Sequence, residues 1–338
     1  AEHPVRWEGP MDGRASVSGG RALELNWQPF RDGIVRAALP AGVSVVDQLF
    51  VNGERRWLAR WPNNEAGPHG VDVGYGTGLS PVAGEPASKV DPPLQNYAAF
   101  RFDPEKFSAR DWKHPGKALI HVFQSKGWGN MKWRVAGLAR DQRLLELGEG
   151  GWQIGTLWEA QRANIVSSRS KFYIVNVFEE LDAPGEWYFD SDERTLYYLP
   201  KPGEDMGTAR VTACGLKELI VTRGSVEKPV RHLSFRHLTF VHTARTMMEP
   251  YETRLRGDWA VARRAAVRFE GAEDCMVLDC GFEGLGGNGV LLSDYNRRIE
   301  VGRSRFHDLG DSAVLVVGAN KAVREFRVHR TWHVPVSY

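Results

Sequence analysis

The sequence predicts an all-β chain: a right-handed parallel β-helix, a solenoid, interrupted by an antiparallel insert of β-sandwich or barrel-like type. Three observations predict it. A repeat of 24 residues runs through the last third, hairpin signals fill the middle, and glycine reaches 36 of 338 residues alongside 12 tryptophans. Average chains carry about 7% glycine, so the excess points to many sharp corners.

The repeat is read from Phe282-Glu283-Gly284-Leu285-Gly286 followed by Val290-Leu291-Leu292, which lines up with Phe306-His307-Asp308-Leu309-Gly310 followed by Val314-Leu315-Val316. Cys275 and Val277 fall on Ile299 and Val301, Ala266 and Val267 on Val290 and Leu291, and Asn296 on Asn320. An earlier copy spans Leu233, Phe235 and Phe240, and a degraded later one begins at Phe326 and Val328. A coil of about 24 residues cannot bury its apolar side chains alone, so coils are expected to stack into parallel ladders. That stacking predicts one internal column of Phe240, Phe282 and Phe306, a second of Leu233, Cys275 and Ile299, and an asparagine ladder of Asn296 and Asn320. A leucine-rich repeat shares the period, but its L-x-x-L-x-L register is absent.

Between about residues 25 and 230 the period disappears. Asp47 to Val51, Asn52-Gly53 and Glu54 to Arg60 read as a hairpin, because Asn-Gly favours the two-residue turn that matches strand twist. Gly185 to Asp190 and Thr195 to Pro200 read as a second hairpin. Helix signals are confined to Leu157–Ala163 and Val177–Leu181, and residues 62–98, rich in glycine and proline, read as a long surface loop. Pro4 to Glu8 and Ala15 to Gly20 again resemble one coil. The predicted organisation is therefore a first coil over residues 1–24, the insert over 25–230 and further coils over 231–338. A chain that leaves a solenoid and rejoins it must do both at one turn.

Lys and Arg total 44 against 42 Asp and Glu, which argues against a nucleic-acid partner, and no apolar run is long enough for a membrane-spanning helix. Cys214, Cys275 and Cys280 form no CxxC pair, and His232, His237, His242 and His307 read as surface or turn residues, so neither a zinc site nor a disulfide framework is expected. The first and last residues carry no start or stop signals, and the natural protein is expected to extend past both.

Three stretches carry a family resemblance: Leu49 to Asn63, Val177 to Tyr188, and Leu285 to Arg298. They resemble the large bacterial β-helix proteins of polysaccharide-utilisation systems. Among glycosidases the chain is most similar to glycoside hydrolase family 141, known for α-L-fucosidase and xylanase activities, and more remotely to the family 110 α-galactosidases. The resemblance implies an oligo- or polysaccharide substrate, no cofactor, and secretion or periplasmic location.

Glycoside hydrolysis needs two carboxyl groups, about 5–5.5 Å apart for retention and about 6.5–9.5 Å for inversion. Successive coils lie about 4.8 Å apart. Glu270 and Asp294 are 24 residues apart and are expected to sit side by side at one strand end, with Asp308 and Asp311 as further catalytic candidates on the next turn. The spacing from Phe240 to Phe282 is 42 instead of 24, so extra residues form a loop, Thr243 to Arg264, expected to overhang that face. Glu252, Arg254, Arg256, Asp258, Trp259 and Arg263 are its candidate substrate contacts. Two other functions remain open: a polysaccharide lyase on the same fold, using a Lys or Arg base and calcium, and a non-catalytic glycan-binding or structural β-helix.

Overall fold

The computed structural model describes residues 3–64, 74–83, 97–107, 111–127, 129–153, 166–253 and 260–319. Within them the chain is all-β apart from two single turns of 3-10 helix, at Pro115–Lys117 and Phe178–Glu180. The second lies within Val177–Leu181, one of the two helix signals. The other, Leu157–Ala163, lies outside the described residues, as do Arg254, Arg256, Asp258, Trp259, Asn320 and the copy at Phe326.

Three parallel sheets stack in a β-helix-like arrangement. The first orders Val5–Glu8, Leu233–Arg236, Met276–Leu278 and Glu300–Gly302, and the second Ser16–Ser18, Thr239–Val241, Gly281–Glu283 and Arg305–His307. The third orders Ile220–Val221, Ala265–Glu273, Asn288–Arg297 and Val314–Val317, with Val230–Arg231 also paired to Ala265–Glu273. The sheets enclose one core. Phe240, Phe282 and Phe306 stack through it with centroid distances of 4.9 and 4.6 Å and interplanar angles of 18° and 8°. Leu233, Cys275 and Ile299 belong to the same cluster. Asn296 accepts from Ala272 N at 3.2 Å, one coil earlier, and donates to Ser293 O at 2.8 Å.

Coil corners explain another periodicity. His232, Asp274 and Arg298 form one column of left-handed residues, His237, Asp279 and Arg303 a second, and His242, Gly284 and Asp308 a third, all with φ between 53° and 62° apart from Arg303 at 49°. Residues that tolerate this conformation are favoured there. Coil-to-coil ion pairs follow in two columns: Arg298 holds Asp274 at 2.5 Å and Arg303 holds Asp279 at 2.7 Å.

The antiparallel part forms two larger sheets. One runs Arg60–Trp61, Phe172–Val175, Leu119–Phe123, Asn130–Ala139, Leu144–Gly150, Tyr97–Phe102 and Leu79–Ala83. The other runs Gly20–Leu23, Val211–Cys214, Gln48–Val51, Glu54–Leu58, Glu186–Asp190, Thr195–Tyr198, Val35–Ala38 and Gln28–Pro29. Both sequence-read hairpins are present, the first turning at Asn52 (φ 54°) and Gly53 (φ 85°). Residues 62–98 depart from the surface-loop reading: Leu79–Ala83 pairs with Tyr97–Phe102, and Leu79 and Tyr97 are buried. Gly78 precedes that strand and Pro81 lies within it, which masks it in the sequence.

The chain leaves the parallel stack and rejoins it at one place. Gly20 pairs antiparallel with Cys214, one residue after Gly19 N donates to Val241 O of the second sheet. Arg55 then ties the insert to two coils, donating to Leu285 O at 3.0 Å and Asp308 O at 2.7 Å.

Candidate functional site at the junction of the parallel stack and the insert

The register of the third sheet corrects the expected pairing of Glu270 with Asp294. Val267 stands beside Val290 and Glu270 beside Ser293, a spacing one residue short of the repeat, and the 24-residue spacing resumes only at Ala272 and Asn296. Gly271 therefore faces two residues, Asp294 and Tyr295. This is a β-bulge, with Gly271 at φ 63° and Asp294 at φ 59°. The alignment of Ala266 and Val267 with Val290 and Leu291 shifts by the same residue.

Glu270 and Asp294 also have separate partners. Glu270 accepts from Arg268, which binds Glu218 at 2.7 Å, and Glu218 binds Arg264 at 2.6 Å. Glu249 extends this chain of alternating charge to Lys217. Asp294 accepts from Ser293 Oγ at 2.8 Å and lies 3.6 Å from Arg263.

The described ends of the loop over residues 243–264 lie against this face. Glu252–Thr253 and Ala260–Val261 pair as a short hairpin, and Val261 packs on Leu291, Leu315 and Val317. Arg263 fastens it, donating to Glu252 at 2.5 Å, Ser293 Oγ at 2.9 Å and Gly318 O at 2.9 Å. All of these bonds are internal, so among the described residues Arg263 and Glu252 act as a clasp.

Asp308 occupies the third corner column. Its carboxylate lies 3.0 Å from His307 Nδ1, and His307 Nε2 lies 2.8 Å from Glu283, one coil earlier. The hydrogen bond to Asp308, aided by Glu283, raises the His307 pKa above the usual histidine range.

Asp311 is placed differently. It follows Gly310, whose turn stacks so tightly on the previous coil that a Cβ there would stand 2.3 Å from Gly286 O. From this turn Asp311 accepts from Tyr251 Oη at 3.3 Å, and its charge acts on Lys132 of the insert. Burial, and Asp311 after it, push the Tyr251 phenol up.

The residues opposite Asp311 carry the signal that the sequence reading missed. His121 lies between Tyr173 and Lys132 on neighbouring strands, directly paired with each. Tyr173 stacks on the His121 ring at 4.3 Å, its hydroxyl 2.9 Å from Nδ1, and the Arg60 guanidinium lies over the Tyr173 ring at 4.4 Å. His121 is buried, with no partner for Nε2, and Arg60 Nε is likewise buried and unpartnered. Burial, reinforced by Lys132, Arg245 and Arg60, holds the His121 pKa well below the usual histidine range. Burial brings Lys132 down to about 8 against the pull of Asp311, and Tyr173 up to about 12.

The stack closes the junction from its own side. Arg245 forms a bidentate pair with Asp47 at 3.2 Å, Gln48 donates to Thr243 O at 2.5 Å and Gln153 to Met247 O at 2.7 Å. Met247 and Met248 pack into the insert's core. A histidine within Leu119-Ile120-His121-Val122-Phe123 was the available clue, since the apolar residues around it predict burial for a group that titrates near neutrality.

Residues 146–201, which include the Tyr173 strand, match the GH141 insertion domain. A solved structure titled "Glycoside hydrolase" superposes with a TM-score of 0.63 at 22% identity, over 88% of this chain and 53% of that one. The chain thus spans about half the length of that protein. A second, "The complex structure of XylC with xylose", covers 89% of this chain and 40% of that one at 8% identity, with a TM-score of 0.34, too low to carry weight. No curated protein matches in sequence. The resemblance to glycoside hydrolase family 141 is therefore carried by residues 146–201, and the rest of the chain shares the fold of the first solved structure. No helix among the described residues is long and apolar enough to cross a membrane.

Proposed function

We propose that the chain is the core of a right-handed parallel β-helix glycoside hydrolase, secreted or periplasmic, acting on plant or microbial polysaccharide through paired carboxylates. Residues 1–24, 25–230 and 231–338 serve in this reading as first coil, insert and later coils, with the third-sheet strands at 220–221 and 230–231 moved to the coils. Asp311 is one member of the catalytic pair. The observation that carries this choice is its position: it accepts from Tyr251 and its charge acts on Lys132, which has no side-chain partner among the described residues, where the insert meets the turns. Glu270, Asp294 and Asp308 each already hold a cation or a histidine, so they are assigned to scaffold and rim.

Lys132 favours one second reading. An amine brought to about 8 by burial suits a base that removes the proton next to a uronic acid carboxylate, which is lyase chemistry. One experiment separates the two. Neutral and acidic oligosaccharides are incubated with the protein, and products are assayed for new reducing ends and for ultraviolet-absorbing unsaturated ends. Saturated reducing ends support hydrolysis. Unsaturated ends, with or without a calcium requirement, replace it with the lyase, and oligosaccharide binding without any product leaves only the glycan-binding function.

A further inference from the structure

We propose that the junction holds the carboxylate of a uronic-acid unit, with Lys132 as its counter-ion and the His121 Nε2–H as its hydrogen-bond donor. The inference rests on the reading of the junction as a carbohydrate site and names the sugar class it takes.

The first ground is geometry. His121 and Lys132 are direct cross-strand partners, and such pairs hold their Cβ atoms about 5 Å apart, so ring nitrogen and ammonium can converge on one small anion. The second is unmet hydrogen bonding. His121 Nε2 and Arg60 Nε are buried without acceptors, and Lys132 has no side-chain bond or ion pair among the described residues. A buried donor left unpaired costs about 1–3 kcal/mol, and an anion supplies the acceptors.

Charge points the same way. Lys132, Arg60 and Arg245 surround the histidine, while Asp47 is committed to Arg245. Glu186, the carboxyl acting on Arg60, is buried and raised to about 8, so it offers Arg60 no full negative charge at neutral pH. Burial keeps Tyr173 protonated, its hydroxyl 2.9 Å from Nδ1; in the tautomer proposed, that hydroxyl donates to Nδ1 and the imidazole proton is on Nε2. Asp311 opposite Lys132 disfavours a dianion, so a singly charged planar carboxylate fits better than a phosphate.

The test is isothermal titration of the full chain with trigalacturonic acid and with the same trisaccharide reduced at its carboxyls. The acid is expected to bind at least about tenfold more tightly, a factor typical of one charge-assisted bond, and to weaken with added salt. Lys132→Met should erase the preference and Lys132→Arg retain it, with thermal midpoints recorded for both. His121→Phe provides a second loss-of-preference variant should Lys132→Met fail to fold. Equal binding of the two trisaccharides, binding of neither, or an acid preference that survives in a folded Lys132→Met protein overturns the proposal. Hydrolysis of neutral glycosides with no acid preference would remove the subsite and leave the hydrolase reading; acid-selective binding without turnover would do the reverse.

Discussion

The outer face of the third parallel sheet and the junction both gather arginines and carboxylates, and they differ in how those charges are satisfied. On the outer face, Glu270, Arg268, Glu218, Arg264, Glu249 and Lys217 alternate in sign and bond to one another. At the junction, His121 and Arg60 keep buried atoms without partners and Lys132 faces Asp311 without pairing to it. A closed ion-pair network stiffens a scaffold. Polar groups held dry and unpaired are costly to the fold, and where they gather beside a cation a ligand can complete the bonding.

The largest expected effect tests that contrast directly. Asp311→Asn should lower turnover roughly 10²–10⁴-fold, the range for loss of a general acid or base, while Glu270→Gln should stay within severalfold of the parent; rates on the best substrate of the oligosaccharide panel decide it. A reversed ranking would move the chemistry to the outer face.

Phe282→Ala comes next and probes the stack on which both regions stand. Its ring is buried between Phe240 and Phe306, so the cavity should cost about 3–5 kcal/mol in denaturant unfolding. A loss below about 1 kcal/mol would mean that the column collapses around the gap.

A smaller effect concerns Glu186. Burial raises its folded pKa to about 8 from 4.5, so the native state binds more protons than the unfolded one between those values. Its contribution is complete below pH 4.5 and is lost as pH rises through about 8. Glu186→Gln should flatten the fall of thermal midpoint with pH in that window, and an unchanged slope would place the titration elsewhere.

Asp279→Asn, which suits the left-handed φ of 55° at this corner and removes only the charge, is the smallest. Its partner Arg303 is exposed at a corner, and exposed ion pairs contribute little. The thermal midpoint should be indistinguishable from that of the parent, whereas a clear drop would give the corner columns a structural weight that the junction lacks.

How much was legible follows the same divide. The columns of Phe240, Phe282 and Phe306 could be read because each coil repeats the same task, and the hairpin at Asn52-Gly53 because a two-residue turn has its own chemistry. The pairing of Glu270 with Asp294 failed on a single residue: the bulge opposite Gly271 shortens the register by one and leaves no mark in composition. The loop from Thr243 announced itself by its extra length, yet its clasp, Arg263 on Glu252 and Ser293, required coordinates. The junction was out of reach for a different reason. His121, Lys132 and Tyr173 come from three strands, and Arg245, Tyr251 and Asp311 from two distant turns, so no local spacing joins them.

The central claim, that ligand chemistry belongs to the junction, is tested most directly by a crystal structure of the chain soaked with trigalacturonic acid. The account predicts sugar density between Asp311 and the His121–Lys132 pair, with a carboxylate oxygen within hydrogen-bond distance of Lys132. Density instead along Arg268 and Glu270 on the outer face, with the junction empty, would contradict it.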